Sequence, residues 1–468
     1  MRLLLVSTYE LGRQPVHVAS PSAALRAEGV EVRALDLSVG EWDSSLLEDV
    51  DAVAFSVPMH TAMRLAAAVA REVRERRPDL PIAFYGLYAA VGQAETLGSV
   101  ADTLIVGEYE PALVAWARRI DAGAVAPAVE HHLGRSPFQT PDRSDLPSHD
   151  RYARLEWMGE ARLAAAVEAS HGCRHRCRHC PIPVAYDGRM RVVGADQVLA
   201  DIDQLAREGI RHVTFGDPDF LNAPRYSLDL LRQAHSAHPG LTFDVTVKVE
   251  HILNHASLWP ELSRLGVLFV VSAFESTDQP TLEILDKNHT VTDMAEAVSV
   301  LRAAGVHIRP TWLPFLPWTT PGHLVDLVGF LDRHRLWSAT DPVQMAIKLL
   351  IPEGSLLEGH PAVTPHLLRY APESLTWIWD FEHPETARLQ MDLDSIAADG
   401  SDCGAEATET LAAMRARIAR FAQDGFPPLP ESPPTPRLTE SWFCCAEPTP
   451  AQAGAVGLAL GRVPVATK

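Results

Sequence analysis

The sequence predicts an α/β protein: an open parallel sheet, then a partial (β/α)6 barrel, then a C-terminal extension. Three observations predict it. Short apolar runs alternate with helical patterns through residues 1–121. The alternation breaks over residues 122–160, a stretch rich in Pro, Asp, Ser and His, and resumes over 161–355. At the start of this second series, three cysteines crowd into ten residues, HGCRHRCRHC at 171–180.

In the first series the strand candidates are LLLVS at 3–7, VEVRAL at 30–35, AVAFSV at 52–57, PIAFYG at 81–86 and DTLIVG at 102–107. Several are continuously apolar, as strands covered on both faces should be. Helical stretches such as TAMRLAAAVAREVRERR separate them. Open parallel sheets bind ligands beyond the carboxyl ends of their strands. Here those ends carry Ser7 to Gly12, Ser56 to Thr61, Gly86 to Tyr88 and Gly107 to Glu110. Residues 122–160 have no sustained period and read as an interdomain linker.

In the second series the strand candidates are LAAAVEA at 163–169, RHVTFG at 211–216, LTFDVTVKV at 241–249, VLFVVSAF at 267–274, VHIRPTWL at 306–313 and PVQMAIKLLI at 342–351. Between them, Val198, Ile202 and Leu205 share one helical face, as do Met294, Ala297, Val298 and Leu301. Six βα units with right-handed crossovers can curl into a partial barrel. The extension, 356–468, holds an amphipathic helix and a proline-rich strip, PPLPESPPTPRL, expected to act as a stiff spacer. SWFCCAEPTP follows it.

With 468 residues, 47% of them hydrophobic, the chain can bury two or three cores. A net charge of −19 disfavours nucleic-acid partners. Six cysteines do not make a disulfide scaffold, so their clustering reads as a metal or redox site. No apolar run is long enough for a membrane span or a signal peptide, and a cytoplasmic location is expected.

The spacing C-x3-C-x2-C lets one loop, directly after the first barrel strand, wrap Cys173, Cys177 and Cys180 around a cubane cluster. Three thiolates leave one iron open for a substrate or cofactor. The alternative is a Cys3His zinc site with His171, His175 or His179, but zinc knuckles rarely open a β/α domain. The motif and the strands behind it resemble the radical S-adenosylmethionine superfamily. The resemblance implies a 4Fe-4S cluster that cleaves S-adenosylmethionine to a 5′-deoxyadenosyl radical, and a flavodoxin- or ferredoxin-type electron donor. His179 stands where the family usually has an aromatic residue. Gly216, Asp217, Pro218 and Asp219 occupy the place of the family's Gly-Gly-Glu-like motif for the methionine amine. Lys248, Ser272 and Glu275 end strands three and four, the latter near the cofactor's ribose in similar proteins. Arg309 is a candidate for the methionine carboxylate, or for a structural ion pair.

The N-terminal domain, with Gly107, Glu108 and Glu110 in VGEYEPALVAWA, resembles the cobalamin-binding domain of such enzymes. Ser56 and Gly86 at its strand ends become candidate cobalamin contacts. The Asp-x-His-x-x-Gly motif is missing, so a cobalt-ligating histidine of that kind is not expected. FCCAEP resembles the signature of the CUAEP/CCAEP-tail radical S-adenosylmethionine proteins, some of which carry selenocysteine at the position of Cys445. Cys444 and Cys445 are therefore candidate chemical residues for a soft atom such as arsenic or selenium, or for reducing an intermediate. The expected function is a cobalamin-assisted alkyl transfer or radical rearrangement on a small metabolite. The alternatives are a tRNA-modifying methylthiotransferase-like enzyme and a non-enzymatic zinc or iron–sulfur sensor or RNA binder.

Overall fold

The computed structural model describes residues 1–124, 126–135 and 137–440. Its first sheet holds six parallel strands: β1 (Arg2–Ser7), β2 (Glu31–Asp36), β3 (Ala52–Ser56), β4 (Ile82–Tyr85), β5 (Thr103–Gly107) and β6 (Ala128–His132). Their order is β2-β1-β3-β4-β5-β6. Successive side chains along a strand face opposite sides. Leu4, Val6, Val53 and Phe55 thus join one core, and Leu3, Leu5, Ala52 and Ala54 another. That double burial is why β3, β4 and β5 are mostly apolar and buried at every position. The strand order reverses between β1 and β3, which opens a crevice beyond their carboxyl ends.

The hairpin β7 (Arg154–Trp157) and β8 (Glu160–Val167) starts the second sheet. A small antiparallel pair, β9 (Ser170–Gly172) and β10 (Met190–Val192), flanks the cysteine loop. Then come β11 (His212–Phe215), β12 (Thr242–Thr246), β13 (Val267–Glu275) and β14 (His307–Trp312). β8, β11, β12, β13 and β14 run parallel and curl into a half barrel. The two expected helical faces, Val198/Ile202/Leu205 and Met294/Ala297/Val298/Leu301, are buried in its core. A second hairpin joins β15 (Leu367–Ala371) to β16 (Thr376–Trp379). Finally β17 (Arg437–Leu438) pairs with β7 and extends the sheet.

Three segments differ from expectation. The run at 342–351 does not form a sixth barrel strand: Pro342–Met345 is a 3-10 turn, and a single parallel bridge joins Phe315 to Lys348. Pro342 has no N–H to give a ladder. The Gln344 side chain replaces the missing backbone, its Oε1 accepting from the Trp312 N–H at 3.1 Å. The segment 122–160 is not a bare linker, since it supplies β6 and β7 and a buried anchor. Arg143 donates to both oxygens of Asp201 at 2.9 Å, to Gln14 Oε1 at 2.8 Å and to the Ala166 carbonyl at 2.7 Å. The proline-rich strip, rather than projecting, lies on the barrel. Ser338 donates to the Pro433 carbonyl at 2.5 Å, and Arg309 to that of Pro436 at 3.2 Å. Among the described residues, no helix is long and apolar enough to cross a membrane.

Candidate functional site

A cavity of about 410 Å³ lies where the carboxyl ends of the two sheets face each other. The first domain lines it with Glu10, Arg13, His17, Gly86 and Tyr109, and the half barrel with Glu168, His171 and Asp217. Glu10 is in the loop after β1, and His17 is in the first turn of the helix Val16–Ala27. Glu168 follows β8 directly, and His171 lies in β9. These groups form one alternating line across the domain boundary. His17 Nδ1 meets Glu10 at 3.0 Å, and His17 Nε2 meets Glu168 at 3.2 Å. His171 Nε2 reaches the other Glu168 oxygen at 3.3 Å, and its Nδ1 reaches Glu108 at 3.3 Å.

Burial opposes charge on both imidazoles, but the flanking carboxylates override it and hold their pKa values well above the ordinary 6.5. Burial also opposes charge on Glu168, yet the two histidines hold it well below the usual carboxylate range. The ring nitrogens of both histidines thus face carboxylates on either side. Glu10 Oε2, Arg13 Nε and Tyr109 Oη are buried without a hydrogen-bond partner among the described residues. Buried polar groups are normally paired, so this wall fits a guest rich in polar groups. The amide-fringed ring of cobalamin is such a guest. Gly86 (φ +116°) and Gly107 (φ +89°) give the strand ends their sharp turns, and a Cβ on Gly107 would come within 2.3 Å of the His132 carbonyl.

Cys173 and Cys177 are buried and Cys180 is half-buried, in the loop between β9 and the short helix Ile182–Tyr186. Burial pushes the Cys180 thiol up to about 12; the charges of Cys177 and Cys173 add to this and Lys287 opposes it. Among the described residues, the donors drawn within 4.8 Å of one another, as a single ion requires, belong to His175, Asp219 and His251. The three thiols do not form such a group. Three thiols from one loop could hold three irons of a polynuclear iron–sulfur cluster. Asn222 Nδ2 donates to Cys173 Sγ at 3.4 Å. Glu275, in the left-handed region at φ +66°, accepts from His179 Nε2 at 2.9 Å and from Lys287 Nζ at 3.1 Å. This ties the residue before Cys180 to the end of β13.

The other residues expected at the site are placed as follows. Gly216, Asp217 and Pro218 line the cavity. Asp217 accepts from the Ala169 N–H at 2.9 Å and from the Ser170 hydroxyl. Burial pushes its carboxyl up to about 7. Asp219 is turned away: it accepts from the Leu221 N–H at 3.0 Å and pairs with His251 at 2.8 Å. Lys248 Nζ is 3.6 Å from Glu250. Ser272 Oγ is buried with no hydrogen-bond partner among the described residues. Arg309 lines the cavity but is held by both oxygens of Asp341, at 2.8 and 2.7 Å. Ser56 and Glu108 are buried, Glu108 as the end of the His171 line. Cys444 and Cys445 lie outside the described residues. Glu10 and Tyr109 lie within the strand-end stretches the sequence pointed to, though neither was singled out, and His17 and Glu168 were missed. Glu168 alone gave a signal, a charge ending an apolar strand.

Comparison with known proteins agrees with this arrangement. Residues 167–330 match the family model of the radical SAM superfamily, and residues 2–117 match that of the B12 binding domain. The chain is 22% identical over 294 residues to the hopanoid C-2 methylase of Rhodopseudomonas palustris, covering 59% of this chain but only about half of that methylase. Among solved structures, the cobalamin-dependent S-adenosylmethionine radical enzyme OxsB superposes with a TM-score of 0.62 at 14% identity, over 84% of this chain and 66% of that one. The radical S-adenosylmethionine methyltransferase TsrM from Kitasatospora setae superposes with a TM-score of 0.52 at 20% identity, over 71% of this chain and 70% of that one. At these identities the superpositions show a shared fold.

Proposed function

Because this chain joins a B12-binding domain to a radical SAM domain, we propose that it is a cobalamin-dependent radical S-adenosylmethionine transferase moving a methyl or other alkyl group to a small molecule. The observation that carries the reading is a cavity walled by the strand ends of both domains and bordered by the segment of the cysteine loop at Gly172 and Ile182. When bound, the cofactors supply one-electron cleavage of S-adenosylmethionine and carriage of an alkyl group on cobalt. Cys173, Cys177 and Cys180 hold the cluster. Tyr109, Arg13 and Glu10 face the corrin, together with the strand ends at Ser56, Gly86, Gly107 and Glu108. Gly216, Asp217, Lys248, Ser272 and Glu275 shape the S-adenosylmethionine side. Arg309 acts there through Asp341, as part of the wall. Phe215, Phe269 and Val271 keep water out.

Anaerobic reconstitution with iron, sulfide and hydroxocobalamin tests the reading. About one equivalent of cobalamin and reductive cleavage of S-adenosylmethionine are expected. Cys173→Ala, Cys177→Ala and Cys180→Ala should each abolish cleavage; full activity in any one of them refutes the ligand assignment.

The vicinal pair Cys444 and Cys445 belongs to the same proposal. Leu438 and Glu440 line the cavity. Cys444 and Cys445 follow Glu440 in the sequence by four and five residues. Two adjacent thiols suit a soft atom on the substrate, or reduce an intermediate. Changing both to Ser should spare cleavage of S-adenosylmethionine and stop productive turnover. Product formation at the parent rate would remove the tail from the chemistry.

A further inference from the structure

The loop that carries the three cysteines is also the most basic stretch of an acidic protein. Residues 171–192 hold Arg174, Arg176, Arg178, Arg189 and Arg191 against one carboxylate, Asp187, a net charge of +4 on a chain of −19. Folding gathers these charges. The β9–β10 pair sets Arg191 opposite His171 and Met190 opposite Gly172, so Arg189 stands beside the start of the loop. Arg176 packs over the turn at Gly188 and pairs with Asp187 at 3.2 Å, both side chains 60% exposed. Arg174 and Arg189 are exposed, and among the described residues no side-chain hydrogen bond or ion pair holds either of them. Two apolar side chains on the same segment, Val184 and Val192, are 46% and 42% exposed. A cation-rich patch with two exposed apolar side chains thus lies on the segment that carries the thiols, with Arg174 one residue from Cys173 and Arg176 one residue from Cys177, while Arg178 and Arg191 are held by the Ile284 and Gly134 carbonyls.

We propose that this patch is the docking surface for an acidic one-electron carrier protein. The inference rests on the reading of the cysteines as cluster ligands. Charge complementarity speeds encounter of a carrier whose surface is negative, while the rest of this chain repels it. Small, salt-sensitive contacts suit a partner that must leave after each transfer. One electron leaves the carrier's reduced flavin or iron–sulfur centre and one enters the cluster through the loop, with no bond made or broken. Nothing comparable recommends an RNA: the remaining surface is acidic.

The test uses the reconstituted full chain and follows bleaching and electron paramagnetic resonance of the cluster. Reduced flavodoxin and photoreduced deazariboflavin, a small uncharged reductant, are compared. In the double variant Arg174→Glu/Arg189→Glu, reduction by flavodoxin should slow about tenfold at low salt and lose most of its salt dependence. Reduction by deazariboflavin should stay at the parent rate, and Arg174→Lys/Arg189→Lys should keep the flavodoxin rate. An unchanged flavodoxin rate in the Glu pair overturns the proposal. So does an equal loss with deazariboflavin, a loss in the Lys pair, or transfer-RNA binding by the parent that the Glu pair abolishes. A parent that takes up no cluster would overturn the underlying reading as well, and is distinguished by its missing absorbance.

Discussion

Asp217 shows what burial does to one carboxyl group. It sits under the end of β11, spending both oxygens on Ala169 and Ser170, and burial pushes it up to about 7. An acid raised in the folded state contributes stability that is complete below its ordinary value of 3.8 and is lost as pH rises through about 7. The thermal midpoint should therefore fall between pH 4 and pH 8, and Asp217→Asn should flatten that fall. Circular dichroism melts across this range check it; a slope of unchanged size in the variant assigns the effect to other groups. The sequence made Asp217 legible as a strand-end carboxylate, as it did the three cysteines by their spacing. It could not show that Arg309 would meet Asp341, because that pairing spans 32 residues and depends on how the last barrel segment turns. His17 and Glu168 were hidden for the same reason. Each looks like an ordinary helix or strand-end residue until two domains close on it.

The elements were readable where burial is two-sided. β3, β4 and β5 announce themselves because every position is buried and nearly every one is apolar. The edges were not. β6 is half-exposed along most of its length, so AVEHH carries neither a continuous apolar run nor a clean alternation. The run at 342–351 erred the other way: it is apolar enough for a strand, yet periodicity cannot see that Pro342 lacks an N–H and that Gln344 ends the ladder with its side chain. This substitution of amide for backbone has a measurable weight. Gln344→Ala leaves the Trp312 N–H buried and unpaired, and should cost about 1–3 kcal/mol of stability. Denaturant unfolding gives the number. A variant as stable as the parent would mean that the N–H finds another acceptor.

At the scale of the whole molecule, the line Glu10–His17–Glu168–His171–Glu108 is what fastens the two domains, with Arg143 as a second clasp. The pKa shifts set its working range. The histidines are raised, so their contribution is complete below 6.5 and is lost as pH rises through their higher folded values. Glu168 is lowered, so its share is present above 4.5 and is lost in acid. Proteolysis of the 122–160 segment should therefore quicken on the alkaline side. His171→Gln should remove most of that alkaline change; a parent-like pH profile in the variant would detach the line from domain closure. A different consequence follows from β17. Its pairing with β7 joins residues 281 positions apart, and its last residue, Leu438, with Glu440 just beyond it, closes one wall of the cavity. During synthesis both domains emerge from the ribosome, and fold in order, long before that wall exists. The nascent protein thus passes through a stage with its chamber built and one side open, a time window in which a bulky guest can be loaded without any part of the finished molecule having to lift.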